Sequence, residues 1–352
     1  MGIDLSIIWF VIIVFATLMY IVMDGFDLGI GILFPATQNA DDRDVMVNSV
    51  APVWDGNETW LVLGGAALFG AFPLAYAVII DALTIPLTLM LIGLIFRGVA
   101  FEFRFKATPA HRPFWDKAFI GGSILATFTQ GVTVGAVING FSVTGRAYTG
   151  GPFDWFTAFN LFCGAGLVVA YALLGSTWLV MKSENALQQR MRQVSKTLLL
   201  VLLAFIAAIS LWTPLAQPAI AARWFTLPNL FYLLPVPALV VIFSLYQWRC
   251  LNNPDSHSRP FILTLGLIFL GFSGLGISIW PHIIPPSITL WQAAAPTQSQ
   301  GFMLVGALLI IPVILVYTFW SYYVFRGKVQ HGPLSGAAAY WRWLRSVCSS
   351  VC

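Results

Sequence analysis

Charge is what this sequence has least of. Of 352 residues, 18 are Lys or Arg and 14 are Asp or Glu, 9% in all, while 59% are hydrophobic. A soluble domain carries about 25% charged residues, so a water-soluble globule is excluded and the chain reads as one that lives in lipid. Cysteine is scarce as well. Cys163, Cys250, Cys348 and Cys352 show no CxxC spacing, which signals neither a zinc site nor a disulfide framework and leaves Cys163 and Cys250 as small apolar packing residues. Histidine is limited to His111, His257, His282 and His331. Three of these fall in loops or the tail and His282 sits at the edge of an apolar segment, so a bundle that supplies axial haem ligands from within its helices is not indicated. The net charge of +4 is small and spread along the chain, and without basic runs interleaved with aromatics nucleic acid is not an expected partner.

What is present is apolar length. The runs are long and continuous rather than strictly alternating, and a backbone in hydrocarbon must satisfy its own hydrogen bonds, so the fold class is all-α and a barrel is not indicated. A bilayer core about 30 Å thick needs roughly 20 apolar residues per helix. By that rule about nine spans are expected, near residues 5–34, 49–72, 76–105, 118–141, 155–182, 197–215, 227–250, 261–282 and 302–325. The second scores weakest, because Trp54, Asp55, Asn57 and Glu58 make its first turns polar. No positively charged region precedes the first apolar stretch, which is read as the first span of the mature protein and not as a signal peptide. Residues 1–328 are expected to form one transmembrane domain; residues 329–352 form a tail of unknown role, with Trp341, Arg342, Trp343 and Arg345 suited to an interfacial helix.

Lys and Arg set the orientation. Loops after odd-numbered spans hold Arg43; Arg104, Lys106, Arg112 and Lys117; Lys182, Arg190, Arg192 and Lys196; Arg249 and Arg259; Arg326 and Lys328. Loops after even-numbered spans hold only Arg146 and Arg223. The odd loops and the C-terminus are therefore expected in the cytoplasm and the N-terminus outside.

A carboxylate inside a span costs roughly 2.5 to 3.5 kcal/mol on insertion scales, so each one asks for a reason. Asp24 and Asp27 are three apart on one face of the first span, at its cytoplasmic end, where they could meet water. Gly25 and Gly29 beside them have the spacing that lets another helix approach closely. Asp55 and Glu58 are again three apart. With a second span starting at Ser49, they would lie about 9 and 14 Å into the helix. Asp24, Asp27, Asp55 and Glu58 then read as a row leading inward from the cytoplasm, either titratable groups of a proton path or a hydrogen-bonded clamp between helices. Glu102 could extend the row, and Arg97 could snorkel or pair with one of its acids; Arg104 reads as snorkelling. Trp54 and Asn57 are supporting residues. Asp81 has no evident partner.

The stretches DGFDLGIG at Asp24 to Gly31, NSVAPVWDGNETWL at Asn48 to Leu61, GGAALFGAFPLAYA at Gly64 to Ala77, FRGVAFEFR at Phe96 to Arg104, WPHIIPPSITLW and PVILVYTFWSYYVFRGKV resemble subunit II of the cytochrome bd-type quinol oxidases, in order and at family spacing. The resemblance implies a haem-free subunit of two pseudosymmetric four-helix bundles plus a peripheral helix, in the bacterial plasma membrane. Its partner would be subunit I, carrying haems b and d, oxidising quinol and reducing dioxygen to water. A small accessory transmembrane subunit, and a quinone or membrane lipid held structurally, are further expectations of that likeness. It also implies that Asp24, Asp27, Asp55 and Glu102 belong to a cytoplasmic proton path and that Trp60 stands beside an apolar oxygen route. Val53 stands where some members have histidine and Gln292 where some have aspartate, which makes the cyanide-insensitive branch the closer likeness; the tail matches nothing in the family.

Two other readings remain open at this stage. A proton-coupled secondary transporter would need paired broken helices with polar residues at the midplane, whereas these acids crowd one side and one end of the chain. A purely structural anchor would explain the missing haem ligands but not the acidic row. Topology is directly testable: alkaline phosphatase fused after Lys328 should be inactive and a cytoplasmic reporter active there, and phosphatase activity would overturn the orientation.

Overall fold

The computed structural model describes residues 4–329; the interfacial helix expected in the tail lies outside them. Asp4 accepts the amides of Ser6 and Ile7 and so starts α1, Leu5–Leu33. A 3₁₀ turn at Phe34–Ala36 leads to α2, Ala40–Asn48, capped by Asn39, and then to α3, Trp54–Ala71. Next come α4, Pro73–Lys106, and α5, Arg112–Asn139. A hairpin of β1, Val143–Thr144, and β2, Ala147–Tyr148, precedes α6, Ala158–Lys182, and α7, Asn185–Ala216. Short α8, Pro218–Phe225, and α9, Asn229–Leu233, lead into α10, Pro235–Asn252, and α11, Arg259–Ile279. After β3, His282–Ile284, and β4, Ile288–Thr289, the chain ends in α12, Leu290–Ala293, and α13, Thr297–Val324. Proline opens several of these helices, where its missing N–H costs nothing. The two hairpins are the only strands among the described residues.

The protein is an all-α polytopic membrane protein. Eight of its helical segments are long and apolar enough to cross a bilayer, and α3 is the 18-residue helix in the place of the weak second span. That span begins later than the sequence reading placed it. Residues 40–48 form their own helix, and turns through Val50 and Val53 intervene before Trp54. Pro52 supplies the reason: it disfavours helical backbone at Ala51 and lacks an N–H. Asp55 therefore lies in the first turn of α3 and is exposed, not about 9 Å deep.

Helices α1, α3, α4 and α5 pack in a closed ring, α6, α7, α10 and α11 in a second, and α6 joins them by lying against α1 and α5. Glycine makes these approaches possible. A Cβ on Gly29 would run into the Tyr171 backbone carbonyl, and one on Gly175 would stand 2.6 Å from the Gly29 carbonyl carbon. The α4–α5 crossing uses Gly93 and Gly122 in the same way. Below the α1–α6 crossing, Phe26 stacks on Trp178 at 4.2 Å, with Phe261 and Tyr322 edge-on to the pair. α13 lies against α1 and α3. Trp9 Nε1 donates to the Gln300 carbonyl at one end of it, and Lys182 Nζ donates to the Phe325 carbonyl at the other. Cys163 and Cys250 are buried and unpaired.

Gly29→Leu should force α1 from α6 and destabilise the protein by about 3 kcal/mol or more, read as a lower thermal midpoint of the purified complex. Gly271→Ala, where nothing stands within 4 Å, should leave it unchanged.

Candidate functional site

Three helices of the first ring bring their polar residues to one point. Arg97 on α4 uses a single nitrogen, Nη2, to donate to Asp24 Oδ1 on α1 at 2.7 Å and to Glu58 Oε1 on α3 at 2.5 Å. Arg97 and Asp24 are fully buried, and the Glu58 side chain keeps 28% of its surface. Asp27, one turn beyond Asp24, accepts from Asn57 Nδ2 at 2.8 Å, and the same nitrogen donates to the Met23 carbonyl. Tyr322 on α13 donates to Asn57 Oδ1 at 2.9 Å. Trp54 and Phe101, stacked at 5.3 Å, cover the guanidinium, whose carbon lies 5.6 and 5.8 Å from their rings. A buried charge is tolerated only when paired and hydrogen-bonded, and here one guanidinium serves two carboxylates while a neutral amide serves the third.

Beyond Asp24 a neutral chain continues inward. Gln130 on α5 donates to the Tyr20 hydroxyl at 2.8 Å and accepts from Tyr171 on α6 at 3.1 Å. Tyr20 is one turn before Asp24 on α1. The sequence reading missed Tyr20, Gln130 and Tyr171; their only signal was the presence of polar residues inside spans 1, 4 and 5.

The structure separates the sequence candidates into two groups. Asp24, Asp27, Asn57, Glu58, Arg97 and Trp54 come together. The sequence left Asp24 and Asp27 able to meet water at the end of α1; both are instead completely buried, because the ring closes over that end. Asp55 and Glu102 stand outside the cluster. Asp55 is exposed, and Glu102, 61% exposed, pairs with Lys106 at 3.6 Å on its own helix. Asp81 is exposed near the other end of α4, two residues before a kink at Leu83. Trp60 is fully buried, edge-on to Phe15 at 5.6 Å among Ala16, Tyr20 and Met23, with no acceptor for its N–H.

Arg104 corrects a second reading. It does not snorkel: only 3% exposed, it donates to Asp116 Oδ1 and Asp44 Oδ1, each at 2.6 Å, while Arg43 takes the other Asp116 oxygen at 3.0 Å. Both guanidinium groups face the Phe34 ring. These acids lie in α2 and the first turns of α5, and nothing in their spacing announces the network. It fastens α2 to α4 and α5, and so sets where α3 begins.

Among the described residues no histidine lies inside a membrane-spanning helix. His111 lies in the turn before α5 against Thr108, His257 follows α10 and meets Gln188, and His282 is on β3. Among the described residues no group of three or more His, Cys, Asp and Glu could hold a metal ion.

Long apolar helices closed around a buried cluster of acids define an integral membrane protein with a charge-handling interior. The profile of the family described as cytochrome bd terminal oxidase subunit II matches residues 5–325, and the chain belongs to that family. It is thus a subunit of a terminal oxidase, an oxidoreductase complex. Subunit 2 of the cytochrome bd-I ubiquinol oxidase of Escherichia coli is 30% identical, over 92% of this chain and 95% of that one. A probable cytochrome oxidase subunit 2 of Haemophilus influenzae is 29% identical over 93% and 95%, and subunit 2 of the Bacillus subtilis cytochrome bd ubiquinol oxidase 28% over 92% and 96%. Among solved structures, a chain of the bd oxidase from Geobacillus thermodenitrificans shares the fold, with a TM-score of 0.70 and 17% identity over 92% of this chain and all of that one.

Arg97→Met should leave Asp24 and Glu58 uncompensated and cost about 3 to 5 kcal/mol, seen as poor assembly that Asp24→Asn partly restores. Glu102→Gln, which breaks only an exposed pair, should change stability by less than about 1 kcal/mol.

Proposed function

We propose that this chain is the haem-free subunit of a quinol-oxidising complex, and that its first ring delivers protons toward the haems of its partner. The observation that carries the reading is the bridge Glu58–Arg97–Asp24. Two carboxyl groups sharing one guanidinium, with Asp27 beside them, can hold a variable number of protons, and a series graded in exposure leads to them: Asp55 at the surface, Glu58 part-buried one turn on, and Asp24 fully buried. Asp55 is the entrance or exit of that path, and Asp27 is a side branch through Asn57. Glu102 lies on the same flank at the end of α4, as a collecting group. Trp60, in its apolar cluster, borders an oxygen route. The cluster end faces the cytoplasm, the N-terminus faces outside, and subunit I supplies haems b and d. The quinol of the relatives' titles is the substrate of the complex.

The transporter reading is weaker because the clustered acids gather at one end of one ring, with no counterpart charge cluster in the second among the described residues. A structural anchor would not need graded acids. In the assembled complex, Glu58→Gln should keep the hydrogen bond from Arg97 but carry no proton. Oxidase turnover should fall tenfold or more, a barrier rise of at least about 1.4 kcal/mol, with haem content normal. Asp55→Asn should fall by a similar factor if it is the sole mouth of the path. Full turnover in an assembled Glu58→Gln complex would overturn the relay, and joint loss of haem and assembly would mark a clamp instead.

A further inference from the structure

Tyr20, Gln130 and Tyr171 are buried polar side chains that the Arg97 bridge does not use, and they come from three helices. The crossing of α6 on α1 fixes Tyr171. Its ring lies against Gly25, where a Cβ would stand 3.0 Å from Cε1, and its carbonyl lies against Gly29. Gln130 reaches it from α5 beside Gly131, where a Cβ would meet the Cys163 carbonyl of α6 at 2.7 Å. Tyr20 is one turn before Asp24 on the same face of α1.

The hydrogen bonds of this chain run in one direction. Tyr171 donates its hydroxyl proton to Gln130 Oε1 at 3.1 Å, and Gln130 Nε2 donates to the Tyr20 oxygen at 2.8 Å. A phenol has one proton to give, and with its oxygen already accepting, that of Tyr20 is left for another acceptor. Asp24 offers one. Its Oδ1 is held by Arg97, while Oδ2 is buried and has no donor at full hydrogen-bond geometry. The Tyr20 hydroxyl lies close enough to that carboxylate to interact with it. The other groups that face Asp24 are Arg97 from α4, Glu58 from α3, Asp27 on its own helix, Tyr171 from α6 and Tyr322 from α13, none of which donates to Oδ2.

A carboxamide is a poor proton carrier. Its acceptor and its donor are different atoms, so a proton taken on Oε1 leaves from Nε2 only through a tautomer of the amide. What Gln130 does for Asp24 is therefore done through the orientation of Tyr20. We propose that Gln130 is a positioning residue that aims the Tyr20 hydroxyl at Asp24 Oδ2, giving the ionised acid a second donor beside Arg97. The inference rests on the reading of Asp24 as a proton-carrying group. A hydrogen bond to a charged acceptor is roughly twice as strong as one between neutral groups, so Tyr20 favours the ionised form of an acid cut off from water. The amide also ends the path at Asp24, so that a proton arriving there is not passed on to α6.

The test uses the assembled oxidase complex with Tyr20→Phe, Gln130→Met and Asp24→Asn, each close in volume to the residue it replaces. Turnover is followed against pH, and thermal midpoints are taken for single and paired variants. Tyr20→Phe and Gln130→Met should each move the pH midpoint of turnover upward by about one pH unit, and together should move it no further. Each should also lower the thermal midpoint by about half as much, or less, in an Asp24→Asn background as in the parent. Where Gln130→Met does not assemble, Tyr20→Phe, which removes one hydroxyl, decides alone. An unchanged pH midpoint with Asp24→Asn inactive would overturn the positioning role and leave the path standing, and so would a loss of rate by the same factor at every pH. Full turnover in Asp24→Asn would overturn the path itself; the thermal losses then decide the contact, additivity with Asp24→Asn rejecting it and non-additivity sustaining it.

Discussion

One Arg97 nitrogen reaches Asp24 on α1 and Glu58 on α3 at once, with Arg97 and Asp24 fully buried and only Glu58 keeping part of its surface. None of the three groups could be buried alone, since an unpaired charge costs several kcal/mol even after the surroundings relax. The pairing therefore dictates the arrangement around it. α4 must turn the Arg97 face inward, α1 must bring Asp24 to the same depth, and α3 must begin late enough for Glu58, one turn into the helix, to reach. The Arg104 network serves that last condition by fastening α2, so that the short turn at Val50–Val53 delivers Trp54 to the guanidinium. Gly29 and Gly175 then let α6 close the side of α1 away from the cluster.

Much of this was legible in the sequence, for identifiable reasons. Spans of α1, α4 to α7, α10, α11 and α13 follow from apolar length alone, since lipid leaves the backbone no other way to satisfy itself. The residues of the cluster were legible because a carboxylate in an apolar run is costly and asks for a cause. Their pairing was not. Whether Arg97 snorkels or turns inward depends on rotation of α4 about its axis, which its apolar residues do not fix, because they occur on every side. The same ambiguity hid the inward turn of Arg104 and the burial of Asp24 and Asp27. The start of α3 was misplaced because Asn48 and Ser49 look like caps; Ser49 instead bonds the Met46 carbonyl behind it, and Pro52 breaks the helix that would have followed. Gln130 between Tyr20 and Tyr171 could not be read at all, since it joins residues 110 and 41 positions away.

α3 shows how function and insertion compete. A helix whose first turns carry Trp54, Asp55, Asn57 and Glu58 inserts poorly by itself, and its 18 residues barely span the hydrocarbon. Each polar group in those turns except Asp55 is met by a neighbour: Asn57 by α1 and α13, Glu58 by α4, Trp54 by Phe101 and Arg97. The helix is therefore stable across the membrane only after α1 and α4 flank it, since its acids burden insertion and find partners only on packing. Asp55 is the residue left unmet within this chain. Its carboxylate stands exposed in the first turn of α3, one turn before Glu58, where it is open to water or to a partner surface without any rearrangement of the cluster.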